Sequence, residues 1–526
     1  MDPVIATFVI LGLAVIAFVS GKIALPVVAL GVALALWATG VLTLPEALSG
    51  FGDPTVVFIA TLFVVSESLD ATGVTAWVGQ RVIGRVGTRR GILLIAVMII
   101  AAVMSAFISI NGAVAALLPV VVAVAVRAGI VPSKLLIPLA FAASAGSLLT
   151  LTGTPVNVVV SDAAVNAGGR AFGFFEFALV GIPLVVLTVV FTAVFGERLL
   201  PRREPEHLDV PDTSRAAQRL RESYAVTAET GQLFSAREGA AEVMIAPRSR
   251  LVGRTIYAGM TTREEDLVIL GLRRGGSDVD ATHTHSGELT LQAGDSVLVQ
   301  GPWAALERYV RSPDVIAVTQ PQTLRRAVPL GRGAKRALVV LALMVVLLAT
   351  GVVPPAVAGL LAAGALIVTR VLTLAQVYHS ISWTTVILIA GMFPLSDAFV
   401  STGAADVVSN VVLTMTGGAS PVLALLVLCV VALILGQFIS NLATVLILVP
   451  IAVSVSQTLD VSIQPFMMGL TVIGAAAFFT PIATPVNLMV MQPGGYRFGD
   501  YWRLGLPLGL IYLLMAVVYV PLIWKF

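Results

Sequence analysis

The chain has 526 residues, of which 58% are hydrophobic and only 12% charged, and its mean hydropathy is +0.98. This composition excludes an ordinary soluble globular protein and marks an integral membrane protein, for which no nucleic-acid partner is expected. The formal net charge of +3 is small, so the placement of charge matters more than its sum, and a single cysteine, Cys429, excludes an intrachain disulfide or a cysteine metal cluster.

In chain order, the first apolar run, 4–20, lacks a basic leader and is followed at once by another, so it reads as a membrane helix rather than a signal peptide. A third helix ends at Thr72-Gly73. An amphipathic stretch follows, then a helical hairpin whose arms flank Ser109-Ile110-Asn111, a helix broken at Leu151-Thr152-Gly153-Thr154-Pro155-Val156-Asn157, and a closing helix. After residues 1–198 the character becomes charged and soluble: 199–239 reads as a linker and 240–319 as a small α+β domain. The β-like runs of that domain are 242–245, 267–272 and 296–299. A second linker, 320–333, leads to residues 334–526, which repeat the first series with a hairpin at Ser440-Asn441-Leu442 and a break at Ile482-Ala483-Thr484-Pro485-Val486-Asn487.

Thr154 and Thr484 are 330 positions apart, and the same shift pairs 41–44 with 371–374, Ala60 with Ala390, Ser66 with Ser396 and Thr72-Gly73 with Thr402-Gly403. The repeats thus bracket the insert. If each hairpin enters and leaves on one side, each repeat crosses the membrane five times, and an odd number inverts the second relative to the first. Lys22, Arg81, Arg85, Arg89, Arg90, Arg127, Lys134 and Arg198 fall on the side of the insert in the first repeat, as do Arg370, Arg497 and Arg503 in the second. The stretches 401–421 and 456–464 carry no Lys or Arg, and only Arg170 and Lys525 fall outside this pattern. The positive-inside rule then places the insert in the cytoplasm and both termini outside it. The expected fold is an all-α polytopic membrane protein of two inverted repeats, each with five transmembrane helices and a re-entrant hairpin, with a soluble α+β domain between them.

A Thr-Pro break frees backbone groups that hydrocarbon cannot satisfy, so two in corresponding places point to a binding site. Helix N-termini suit an anion, while freed carbonyls and Asn or Thr oxygens suit a small cation. One half-site would comprise Ser109, Asn111, Thr152, Thr154, Pro155 and Asn157; the other would comprise Ser440, Asn441, Thr480, Thr484, Pro485 and Asn487. The same residue types also serve as helix-to-helix glue and as kinks. Glu67 and Asp397 correspond at 330 positions; they either couple protons or sit at an interface or in a scaffold ion pair. Glu176 and Asp500 read as interfacial anchors beside aromatics. His283 and His285 are either metal ligands or a solvated pair in a turn.

Thr150-Leu151-Thr152-Gly153-Thr154 and Pro481-Ile482-Ala483-Thr484-Pro485-Val486-Asn487 resemble the breaks of the divalent anion–sodium symporter family, across both repeats. The resemblance implies a carrier of dicarboxylates, citrate or sulfate in a bacterial plasma membrane, working as a homodimer by an elevator motion without a cofactor. It also implies Na⁺ sites at Ser109, Asn111 and Gly153 and at Ser440, Asn441 and Ala483, with the anion between them. The hairpin tips depart from that family's Ser-Asn-Thr: Ile110 and Leu442 cannot donate hydrogen bonds to a carboxylate or its ion shell. A sulfate-like oxyanion held by backbone amides, coupled to Na⁺ or to H⁺, is the resulting expectation, with a dicarboxylate as the other candidate.

In the insert, 249–256, 273–276 and 291–298 resemble the TrkA-C regulatory module, which implies dimerisation and a possible small-molecule effector. A cation/H⁺ antiporter or an arsenite-type exporter of the same broad type remains the alternative. An enzyme is not expected, because no apolar segment holds a nucleophile–base pair or metal-ligand spacing, and no Walker sequence supports primary pumping.

Overall fold

The structure, a computed structural model, describes residues 2–20, 22–83, 89–203, 224, 238–257, 259–262, 265–274, 277–278, 289–310, 312–318, 333–404, 407 and 420–526. His283 and His285 lie outside the described residues. The chain divides into two compact units: Met1–Ser68, Val82–Leu208 and Arg336–Phe526 form one, and Leu69–Arg81 with Asp209–Lys335 forms the other.

The first unit is helical. Its helices in the first half are α1 (Pro3–Ser20), α2 (Leu25–Ala38), the single turn α3 (Leu44–Ala47), α4 (Pro54–Ala71), α5 (Val74–Ile83, mostly in the second unit), α6 (Arg90–Ser105), α7 (Ile110–Arg127), α8 (Leu136–Gly146), α9 (Pro155–Asn166) and α10 (Ala178–Leu199). Among the described residues, five helices are long and apolar enough to cross a bilayer, or six if one pair bent by 57° counts as a single span. The hairpins and breaks cut most of the remaining apolar sequence into shorter helices. Large apolar residues such as Leu13, Ile16, Val194, Leu343 and Leu522 are exposed on these helices, the reverse of a soluble protein and suited to lipid contact.

After the insert come α12 (Ala334–Thr350), α13 (Pro355–Val368), α14 (Leu374–Ser380), α15 (Trp383–Ser401), α16 (Pro421–Leu435), α17 (Asn441–Thr458), α18 (Gln464–Gly474), α19 (Pro485–Met491), α20 (Tyr501–Leu514) and α21 (Val520–Ile523), with α11 (Trp303–Val310) belonging to the insert. The two halves pack across one another. A Cβ at Gly391 of α15 would stand 2.7 Å from the carbonyl of Ala29 in α2, and one at Gly359 of α13 would collide with Thr61 of α4. Positions 29 and 359, and 61 and 391, are each related by the 330-residue shift, so one close crossing is made twice with the roles of the halves exchanged.

The second unit is built on an antiparallel sheet. Its strands β1 (Glu238–Ile245), β3 (Val268–Arg274), β4 (Ser277–Asp278), β6 (Ser296–Pro302) and β7 (Val315–Ala317) run in the order β4-β3-β6-β1-β7, while β2 (Thr255–Ile256) pairs with β5 (Leu289–Thr290). Val243 faces Val297 and Ala241 faces Val299 across β1 and β6, and Val243, Leu298, Val299, Leu267 and Leu306 are buried together. Gly239 leaves room for the Trp303 ring of α11, where any Cβ would collide. A buried carboxylate, Asp295, accepts from Arg274 Nε and Nη2, both at 2.8 Å, and from the Gln292 N–H.

Candidate functional site

Both breaks are closed by the same bonds. Asn157 Nδ2 donates to the carbonyls of Ser147 and Thr150 at 2.9 and 2.8 Å; Asn487 Nδ2 donates to Ala477 and Thr480 at 2.9 and 3.0 Å. Every atom in one set has its counterpart 330 positions on. Both asparagines are buried, and their amide hydrogens satisfy carbonyls that the interrupted helices α8 and α18 leave unpaired. Thr154 and Thr484 precede the prolines in the extended conformation that proline imposes, with φ of −151° and −142°. Each proline then opens a new helix.

The breaks are tied to the hairpin tips, again in duplicate. Thr150 Oγ1 donates to the Ala106 carbonyl, and Thr480 Oγ1 donates to the Gln437 carbonyl at 3.0 Å. Ser109 caps α7 by accepting from the Gly112 N–H at 3.1 Å, and Ser440 caps α17 by accepting from Ala443 N–H at 3.3 Å. Four helix N-termini, those of α7, α9, α17 and α19, therefore start at the tips and breaks. The halves also interlock: α9 packs on α17 and α18, α19 packs on α7 and α8, and the Phe141 and Phe478 rings lie 4.4 Å apart. A Cβ on Gly474 would touch both Val156 and Val445.

The two half-sites differ at their tips. In the second, Asn441 Oδ1 and Thr444 Oγ1 are buried and lack a hydrogen-bond partner. The corresponding positions in the first are Ile110 and Ala113. There Ser109 is engaged instead by Ser66, whose Oγ accepts from the Ser109 N–H at 3.2 Å, and Asn111 is exposed. A third buried oxygen without a partner, Asn157 Oδ1, sits at the first break. Gly153 is buried, and a Cβ there would collide with the Ser147 carbonyl, whereas its counterpart is Ala483. Thr152 lies 3.3 Å from Thr150, Oγ1 to Oγ1, and Thr484 Oγ1 accepts from the Asn487 N–H at 3.3 Å.

A cavity of about 380 Å³ runs between α9, α15, α17 and the turn at residues 49–53. Asp53, Asp162 and Asp397 all line it, with Ser396 and Gln457, and among the described residues no Lys, Arg or His does. Asp397 was singled out by its repeat partner Glu67, which is not part of the lining. Asp53 and Asp162 carry no sequence signal of their own, since only the fold brings positions 53, 162 and 397 together. Thr444, in the first turn of α17, and Gln437, in the turn before the tip, carry no sequence signal that says which atoms they face.

A family model described as CitMHS, citrate transporter, matches residues 15–472 and 415–526. The uncharacterized transporter YfbS of Escherichia coli K12 is 30% identical over 98% of both chains. A probable sodium/sulfate cotransporter 3 of Chlamydomonas reinhardtii is 31% identical over 31% of this chain and 19% of its own length. Among solved structures, the YdaH transporter of Alcanivorax borkumensis covers 99% of this chain and 98% of its own with a TM-score of 0.51 at 13% identity, a likeness of fold. With the duplicated breaks and tips, this end-to-end match makes the chain a transporter and not an enzyme: it belongs to the CitMHS citrate transporter family.

Proposed function

We propose that the protein carries a small divalent oxyanion of the sulfate class across the membrane, coupled to Na⁺ bound at the second half-site. The observation that supports this reading is the pair of unpartnered buried oxygens, Asn441 Oδ1 and Thr444 Oγ1, beside the Ser440 cap. Hard, uncharged oxygens held out of water are ligands for a small monovalent cation, and leaving them unliganded costs free energy. Ser440 and the carbonyl of Ala483 complete the candidate set. With Ile110 and Ala113 in the equivalent places, the first tip offers fewer oxygens, which favours a single Na⁺ at the second tip over one at each tip. The anion would lie between the N-termini of α7, α9, α17 and α19, near Ser109, Thr152, Thr154, Thr484 and the two prolines. Sodium/sulfate cotransporters among the relatives support the choice of substrate class.

In this reading the two interlocked hairpins and breaks move as one body past α1, α2, α12 and α13, in an elevator motion within a homodimer. The two repeats lie inverted in the plasma membrane, with the insert as a cytoplasmic regulatory domain. A second reading, cation or H⁺ exchange, draws on the three-aspartate cavity. Uptake of labelled sulfate, succinate and citrate into proteoliposomes under imposed Na⁺ or H⁺ gradients separates the two. Na⁺-driven sulfate flux that loses its Na⁺ dependence in Asn441→Leu is the expected result. Cation exchange that needs Asp397, without gradient-driven anion flux, would replace this reading with the second.

A further inference from the structure

Where the chain leaves α10 for the insert, a buried polar network receives it. Lys134, buried, donates from Nζ to the carbonyls of Glu197 and Leu200 at 2.9 and 2.5 Å and so caps the end of α10. Ser133 Oγ donates to the Pro201 carbonyl and accepts from the Arg203 N–H, at 3.1 and 3.0 Å. Arg203 then forms a two-pronged pair with Asp500, Nε to Oδ2 at 3.0 Å and Nη2 to Oδ1 at 3.2 Å. Asp500 is nearly inaccessible and also accepts from the Arg497 N–H at 2.8 Å.

Two tyrosines continue from this point in different directions. Tyr501, the next residue after Asp500, donates from its hydroxyl to the backbone carbonyl of Asn487 at 2.6 Å, and Asn487 is the residue whose side chain closes the second break. Tyr496 donates to the Ser133 carbonyl and accepts from the Ile137 N–H at 3.1 Å, at the start of the helix that leads to the first break. The two rings lie 5.8 Å apart. Tyr496 and Tyr501 are buried, so these bonds have no water to replace them.

We propose that Arg203 is a positioning residue for the second break: through Asp500 and Tyr501 it holds the Asn487 backbone, and so ties the linker of the insert to the transport site. Tension or release on that linker then changes the geometry of residues 477–487 without any contact between the insert and the carried ion. This holds whichever anion or cation is transported.

Hydrogen exchange by mass spectrometry on the full-length protein tests it, with no substrate needed. Arg203→Ala should speed exchange in peptides covering 475–491 by about fivefold, while peptides covering 110–127 stay at the wild-type rate. Tyr501→Phe should reproduce the effect at 475–491 with peptides at 196–203 unchanged, and Arg203→Lys should restore most of the protection. Faster exchange confined to 196–203 and 495–503 would overturn the proposal. So would a uniform rise that includes 110–127, because that would reduce Arg203 to a general contribution to stability.

Discussion

Gly153 and Ala483 stand at the same place in the two breaks, yet the local backbone treats them differently. At 153 a methyl group would run into the Ser147 carbonyl, which belongs to backbone and cannot swing away, whereas Ala483 already carries one and is buried. Gly153→Ala should therefore force the first break open, costing about 2–3 kcal/mol by the usual penalty of overpacking, while Ala483→Gly costs less than about 1 kcal/mol. Thermal unfolding of the two purified variants in detergent checks the difference; equal losses would mean the two turns share one shape. Asn157 and Asn487 present a different limit. Both amide hydrogens of each are spent on carbonyls, so these side chains can offer a transported anion no N–H at all, only a carbonyl oxygen to a cation.

At the scale of elements, the repeats end their helices with the same backbone turn but different residues. After α2 the left-handed position is Gly40 (φ 73°), and after α13 it is Arg370 (φ 55°). After α7 it is Gly129 (φ 67°), and after α17 it is Asp460 (φ 51°). A side chain in that region costs roughly 1–2 kcal/mol, offset in part by the lower unfolded-state entropy of a non-glycine residue. Arg370→Gly and Asp460→Gly should each raise stability by about 0.5 kcal/mol, readable as a small rise in melting temperature; a fall would show that these side chains hold contacts that outweigh the strain. Elements of this kind were largely legible in advance. The breaks could be placed because Thr-Pro interrupts apolar runs, the strands because β-branched runs stand between turn residues, and the duplication because a single shift aligns many residues. What could not be read was direction. Nothing in the order of residues says that Asn157 turns inward to the helix ends while Asn111 stays exposed, or that Asn441 and Thr444 leave oxygens unpaired. The Asp53, Asp162 and Asp397 cavity was also beyond reach, because it forms by packing of segments far apart in the chain.

For the molecule as a whole, the insert has its own electrostatic dependence. Burial disfavours the charged form of Asp295, but the Arg274 guanidinium and the Gln292 N–H more than compensate and hold the carboxyl below the usual carboxylate range. A carboxyl depressed in the folded state stabilises fully above its unfolded pKa, and that stabilisation is lost as pH falls through the ordinary carboxylate range to the folded value. The sheet should thus lose about 1–2 kcal/mol between neutral and strongly acid pH, an amount discounted because Arg274 is partly exposed, and Asp295→Asn should flatten that dependence. Hydrogen exchange in β1, β3 and β6 across this range measures it; an unchanged slope in Asp295→Asn would assign the acid sensitivity elsewhere.

The interlock of the halves bears on how the chain is made. Helix α8 needs Tyr496 and Phe478 to complete its surroundings, and Glu176 accepts from Trp524 Nε1 at 2.7 Å, so the first half finds its partners only after more than 300 further residues have left the ribosome. During that interval it must wait in the bilayer with its broken helix unsupported. A ribosome stalled before Phe478 should accordingly display a first half still open to proteolysis at residues 147–154.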